Sequence, residues 1–451
     1  MIAPNERRHP PVRLLYAALC ALLAVAPPVR TQSPDTTAAA PADRVELQAL
    51  QDSALTRDPR DGTVSLDRQR ARLRLDDIAA ERLPSLGANA LGQYQSQVTT
   101  IDIALPGGIH VPRPSKDTYD AYVTAQESLF DPSRGPRRAV ATAQLSADES
   151  AVHTSLFPLR QEVNDAFFDA ALLQAQEAEI DAVIADLQAQ LTVASSRVRE
   201  GAALPGDSAG IMAELLRRRQ DRSSLEHDRV ASLAVLADLT GTTLAPAARL
   251  ALPALGNAVA RARSGGDSLH ARPEYAQFDA SRALLDAQRT ATAAATKPRV
   301  SAFARGGYAR PGLDFLSDRF HWYWLAGIQV GWAPFTWGSN ERDQRALELE
   351  QRTVDRDQDA FRASIRRAAT RATAQIDFLD QAVAGDDGIV SLREEAAREA
   401  RVRYDEGVIT TAEYIDRETD LLNARIARAT HRVQLAQARA TYLTTLGLEV
   451  R

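Results

Sequence analysis

Residues 322–332 read WYWLAGIQVGW, and this stretch decides the fold. Alternate residues Trp322, Trp324, Ala326, Ile328, Val330 and Trp332 fall on one face of a period-2 strand. Tyr323, Leu325, Gly327, Gln329 and Gly331 fall on the other. An apolar face with aromatics at both ends, opposite a smaller and more polar face, is the pattern of a transmembrane barrel strand. Ten steps of about 3.3 Å, tilted, match the apolar band of an outer membrane. A soluble sandwich strand is the alternative, but the rest of the chain offers no partner sheet. The segment 119–130 (YDAYVTAQESLF) matches it more weakly, and Glu127 there has to sit near an interface or face a lumen.

Around this stretch the composition is unlike that of a compact domain. The chain has 451 residues and is 45% hydrophobic but only 6% aromatic, so alanine carries much of the apolar share. A quarter of the residues are charged, with both signs mixed, which suits long solvated helix faces. The net charge of −5 gives no electrostatic footprint for nucleic acid. Lys116 and Lys297 are the only lysines, against a large number of arginines. One cysteine and seven scattered histidines exclude a disulfide framework and show no metal-ligand spacing. Nothing points to a cofactor.

The N-terminus reads as an export signal. Arg7, Arg8 and Arg13 precede the apolar run Leu14 to Ala26, which is too short to span a bilayer as a helix. Cys20 follows Leu19, where a lipoprotein signal needs a small residue, so lipid anchoring is not expected. The expected organisation is a signal peptide (1–26), a Pro/Thr/Ala-rich disordered leader (27–44), a first repeat (45–255), a linker (256–272) and a second repeat (273–451).

The repeats share landmarks in one order. PSLGANALGQY at 84–94 matches PRVSAFARGGY at 298–308, and SLFD at 128–131 corresponds to APFT at 333–336. Glu200-Gly201 corresponds to Glu406-Gly407, and Gly241 to Gly447. Each half predicts helix, strand, loop, strand, very long helix, turn, helix. Val163, Ala166, Ala170, Leu173, Glu177, Ile180, Ile184, Leu187, Leu191, Ala194 and Val198 alternate by three and four. So do Ile415, Thr419, Leu422, Ile426, Ala429, Val433, Ala436, Ala440 and Leu443. Such seams are coiled-coil packing. Pro158 is expected to kink the first long helix without ending it, and the Gly-Asp-Asp-Gly at 385–388 to stop the second. Four strands cannot close a barrel, and an open edge cannot exist in lipid, so subunits must combine: eight strands for a dimer, twelve for a trimer.

These residues resemble the TolC family of outer-membrane efflux and secretion ducts over essentially the whole mature chain. The segment 404–423 (YDEGVITTAEYIDRETDLLN) is very similar to the family's signature at the tip of the second repeat, and 198–216 is a poorer match. The resemblance implies a mainly α fold with a small β part: a trimeric twelve-stranded outer-membrane barrel continuous with an α-helical periplasmic tunnel. It implies a passive duct, loaded by a periplasmic adaptor and an inner-membrane pump. Loops 96–118 and 309–321 would then face outside. Glu413 and Asp416, three apart on one helix face, would ring the periplasmic aperture as a cation-selecting constriction; an ordinary solvated helix face is the bland alternative. Tyr404 matches a tyrosine that holds the tunnel closed through a hydrogen bond to an aspartate, here Asp207. The family's best-known member carries an arginine where this chain has Ile409. Glu200, Gly201, Glu406 and Gly407 would be the adaptor-docking tips, although a simple αα-turn explains the glycines equally well. Trp322, Trp324 and Trp332 would form the membrane aromatic belt.

Rival classes are weaker. Gly206-Asp207-Ser208-Ala209-Gly210 satisfies G-x-S-x-G, and Gly266-Asp267-Ser268-Leu269 spells a GDSL box, but neither follows a strand that opens a βα unit. No catalytic residue is expected. A periplasmic coiled-coil adaptor also has heptad helices, but it would carry one hairpin between soluble β-domains. Here two hairpins are each preceded by a strand pair.

Overall fold

The computed structural model of the chain describes residues 44–98, 115–265, 271–314 and 317–450. The expected signal peptide and the GDSL box at 266–269 lie outside them, as does most of the expected leader and of loop 96–118. Arg44, the last residue assigned to the leader, is already in a strand. In chain order the elements are β1 (Arg44–Val45), α1 (Leu47–Arg57), α2 (Asp61–Ala80), β2 (Ser85–Tyr94), β3 (Asp117–Phe130), α3 (Arg134–Leu156), α4 (Leu159–Arg199) and α5 (Pro205–Thr240). There follow β4 (Arg249–Leu250), α6 (Gly256–Ser264), α7 (Pro273–Ala294), β5 (Arg299–Arg310), β6 (His321–Gly331), α8 (Ser339–Asp405) and α9 (Thr411–Leu446). Among the described residues no helix is long and apolar enough to cross a membrane.

The two halves of the chain end their long helices alike. α4 and α8 both end in a residue with α dihedrals, Glu200 and Glu406, followed by a left-handed glycine, Gly201 at φ 76° and Gly407 at φ 74°. The next amides, of Ala202 and Val408, reach back to the carbonyls of Arg197 and Arg403, each at 2.8 Å. This closes the same Schellman turn at both tips. α5 and α9 likewise run into left-handed Gly241 and Gly447.

Helix pairs α4–α5 and α8–α9 form two long antiparallel hairpins that meet through α4 and α9, while α2 packs on α3, α3 on α7 and α7 on α8. The predicted seam on α4 is buried or half-buried at every position. Its one charged member, Glu177, is paired with Arg229 of α5 at 2.8 Å. The largest apolar cluster joins α1, α4, α5, α6, α8 and α9 through residues such as Phe167, Phe168, Leu236, Ile376 and Leu443. A two-strand parallel pair, β1 on β4, lies against it, with the Gln174 amide accepting from Leu250 N (2.9 Å) and donating to its carbonyl (3.2 Å).

Two expectations change here. At Pro158 the helix does divide: α3 ends at Leu156 and α4 begins at Leu159. Phe157 and Pro158 keep helical dihedrals, but proline lacks the amide that would continue the ladder, and three-residue bonds (Gln161 N to Pro158 O, 2.9 Å) take over. At 385–388 the helix does not stop, and α8 runs through it for 67 residues. The two aspartates there are held from outside: Asp386 is buried against His431 Nδ1 at 2.6 Å, and Asp387 pairs with Arg432 at 2.8 Å. Bonds from α9 thus occupy side chains that would otherwise compete for the local backbone. Within the expected linker, Gly256–Ser264 form helix α6, which seats Val259 in the core.

The arginine bias also has a structural expression. Arg222 (to Asp181), Arg425 (to Glu394), Arg432 (to Asp387) and Arg439 (to Asp380) tie neighbouring helices at 2.7–2.8 Å. Half-exposed pairs of this kind stabilise by at most about 1 kcal/mol each, but as planar forks they fix register between helices.

Candidate functional site

The four longer strands form one antiparallel sheet in the order β2-β3-β5-β6. The two repeats are joined at its centre, where Ala121 faces Tyr308 and Ala125 faces Ala304. Register assigns the faces. Leu86, Val123, Ala304 and Ile328 share the tryptophan face, while Asn89, Thr124, Arg305 and Tyr323 share the other. On the first face Trp322, Trp324, Ile328 and Val330 are each at least 64% exposed, as are Trp332, Phe335 and Trp337 just beyond the strand. Large apolar side chains left so bare over a whole sheet face need a non-aqueous neighbour. Glu127 does lie on this face, but near the end that adjoins the helices, opposite Ala302 and beyond the start of β2. A bulge after Ser128 then returns Phe130 to the apolar side, opposite Val300.

Trp322 belongs to a cluster at the far end of the sheet that the sequence pattern did not single out. Phe320 stacks on Tyr308 at 5.3 Å, Tyr308 lies 5.1 Å from Trp322, and Arg310 sits over the rings of Tyr119 and Phe320. Trp332 marks the helix-side end, where its indole N–H donates to Thr296 O at 3.1 Å. Trp324 sits one pleat further into the sheet, opposite Gly306.

At the tips, Glu413 is the third helical residue of α9, and its carboxylate accepts from Thr410 N at 2.9 Å while Thr410 Oγ1 accepts from Glu413 N at 3.2 Å. It is thus a capping-box residue as well as an exposed carboxylate. Asp207 is its counterpart on α5, accepting from Leu204 N at 3.1 Å. Asp416 is exposed one turn on from Glu413, with no hydrogen bond or ion pair among the described residues. Glu200, Gly201, Glu406 and Gly407 are exposed at the two turns.

Tyr404 and Asp207 are brought to one place but do not bond directly. Thr411 lies between them: its hydroxyl donates to Asp207 Oδ1 at 2.6 Å and is 3.5 Å from the Tyr404 hydroxyl. Tyr404 instead stacks on Tyr414, with ring centroids 5.0 Å apart and planes within 17°. Tyr414 is fully buried, and its hydroxyl donates to Asp186 Oδ2 at 3.3 Å. Arg401 pairs with the other oxygen of Asp186 at 3.0 Å. Burial pushes the Glu418 carboxyl and the Tyr414 phenol above their ordinary ranges, and the Asp186 charge adds to both. No sequence signal pairs Asp186 with Arg401, which are joined only across the hairpin contact.

No protein-family model matches this sequence, and neither does any curated protein. Solved structures do match. The structure superposes on the channel CusC with a TM-score of 0.64 at 16% identity, covering 90% of this chain and 93% of that one. The outer-membrane channel OprN gives 0.62 at 20% identity, covering 94% and 98%. The open-state MtrE outer-membrane channel of Neisseria gonorrhoeae gives 0.61 at 20%, covering 90% and 89%. The chain has the outer-membrane channel fold. Within that fold the sheet and the two hairpin tips occupy opposite ends of the protomer's elements. Ser208, the serine of the G-x-S-x-G match, lies in the first turn of α5, its hydroxyl donating to Pro205 O at 3.1 Å. No strand leads into that turn, and among the described residues there is no cluster of metal-ligating side chains.

Proposed function

We propose that the protein is a TolC-type exit duct in the outer membrane, serving a tripartite efflux or type I secretion system. One observation carries this: a four-stranded sheet with an apolar outer face, a polar inner face and two edges, β2 and β6, that are unpaired among the described residues, continuous in the chain with long helical hairpins. In lipid both edges must be paired, and another copy of the chain supplies the complementary edge. Three copies give a twelve-stranded barrel. An eight-stranded barrel would be filled by its own side chains, and the inner face here already carries Tyr122, Phe303, Arg305 and Tyr323. β6, of 11 residues, rises about 3.3 Å per residue and, tilted, spans an apolar band of about 25 Å.

The duct is passive and makes or breaks no covalent bond. Cargo enters from an inner-membrane pump through a periplasmic adaptor that meets the Gly201 and Gly407 turns. Glu413 and Asp416 ring the narrow end, and docking shifts a closed–open equilibrium. Extraction and conductance test this reading. The protein is expected in the outer-membrane fraction as a heat-labile trimer that requires detergent, and it is expected to form channels in planar bilayers. A monomer soluble without detergent, with no conductance, refutes it.

A further inference from the structure

The inner face of the sheet holds one built cluster away from the tips. Arg305, in the middle of β5, is ion-paired with Asp120 of β3. The Tyr323 hydroxyl of β6 donates to the other oxygen of that carboxylate at 2.8 Å. The guanidinium carbon lies 3.5 Å from the ring centroid of Tyr122 and 5.6 Å from that of Tyr323, both within cation–π range. Gly307 makes the room. It is in register with Tyr122 on one side and Tyr323 on the other, and a Cβ there would meet both side chains at 2.8 Å. Between the end residues Arg299 and His321, Asp120 and Arg305 are, among the described residues, the only charged side chains that register places on this face.

We infer that Asp120 is the residue that sets ion preference in the membrane section, by holding Arg305 against the wall and cancelling its charge. The inference rests on the duct reading. In a closed barrel each subunit contributes one such pair, so the ring is electrically balanced and favours neither sign of ion. Removing the carboxylate charge leaves a ring of guanidinium groups, the arrangement that selects anions. Removing the guanidinium leaves a ring of carboxylates and selects cations.

The test is the reversal potential of purified protein in planar bilayers under a KCl gradient. A Glu413→Gln/Asp416→Asn background keeps the tip charges from masking the barrel. Asp120→Asn is expected to shift the chloride-to-potassium permeability ratio upward by about threefold or more at low salt. The shift should fade at 1 M KCl, where the screening length falls to about 3 Å. Arg305→Gln should shift the ratio the opposite way, and the double variant should return it to the background value. Tyr323→Phe, which removes a hydrogen bond but no charge, should leave it unchanged. Conducting Asp120→Asn and Arg305→Gln channels with the background's reversal potential overturn the inference and leave the duct intact. Absence of conductance from the unaltered protein removes the duct reading and this inference with it.

Discussion

Thr411→Val separates two ways of tying the hairpins together at the tip. The resemblance-based expectation joins Tyr404 to Asp207, but in the structure the close bond runs from Thr411 Oγ1 to Asp207 Oδ1 at 2.6 Å, and the Tyr404 hydroxyl is 3.5 Å from Thr411. Valine keeps the shape of threonine, including the methyl that packs toward Gly210, and removes only the hydroxyl. A hydrogen bond to a charged acceptor contributes about 1.5–3 kcal/mol, and the half-exposed Asp207 recovers part of that from water. The remaining loss, about 1.4 kcal/mol, corresponds to about a tenfold shift toward parted tips. Hydrogen exchange of the 404–413 amides is expected to speed up by that factor, and bilayer recordings should show more frequent opening. Tyr404→Phe alone should change neither by more than about twofold, because a 3.5 Å contact between hydroxyls carries little. Tyr404→Phe together with Asp207→Ala should admit large antibiotics more readily. If Tyr404→Phe matches or exceeds Thr411→Val, or if Thr411→Val leaves exchange and opening unchanged, the threonine-bridged tie is wrong.

Other expectations follow from single residues. Gly201→Ala and Gly407→Ala face open space but sit at φ 76° and 74°, so each should cost about 1 kcal/mol in unfolding experiments. Gly447→Ala, at φ 81° and with the Ala271 backbone 2.8 Å from the new Cβ, should cost clearly more. Gly388→Ala lies inside α8 with nothing within 4 Å and should stabilise by about 0.5–1 kcal/mol, seen as a raised Tm. Leu422→Ala, at a fully buried site between the hairpins, should cost about 3 kcal/mol, with a loss under 1 kcal/mol refuting the packing described. Burial holds the Glu418 pKa above its ordinary value, so its contribution to stability is full below the unfolded value and is lost as pH rises through the folded one. Glu418→Gln should therefore raise Tm relative to the native chain at neutral pH, with the difference vanishing in acid.

Much of this architecture was legible because it is periodic. Alternation by two across 322–332 and by three and four across 163–198 needs no partner to be recognised. The paired glycines need only a turn that tolerates left-handed dihedrals. What the sequence hid depends on contacts between distant segments. Gly385 and Gly388 look like a stop until Asp386 and Asp387 are seen held by His431 and Arg432 of the facing helix. Arg305 and Asp120 are 185 residues apart and meet only once the β3–β5 register is known. The Thr411 bridge is hidden for a similar reason: it crosses between hairpins, and in the sequence Thr411 stands beside Thr410, the residue whose hydroxyl caps the helix.

The position of β3 beside β5 fixes what a lone chain can and cannot do. Both strand pairs of the protein find each other within one molecule, so the sheet can form as soon as synthesis is complete. Its outer strands, β2 and β6, have no such internal partner among the described residues. A solitary protomer therefore cannot rest in a bilayer, where those edges would stay unpaired, and cannot remain long in water, where the tryptophan face and the same edges invite aggregation. For the duct proposed above, insertion and association would then be one event, with a rate that depends on subunit concentration. A copy that carries proline at Ile328 could still offer β2 to a neighbour while its own β6 edge is spoiled. Such a copy would poison assemblies containing normal subunits, making the trait dominant.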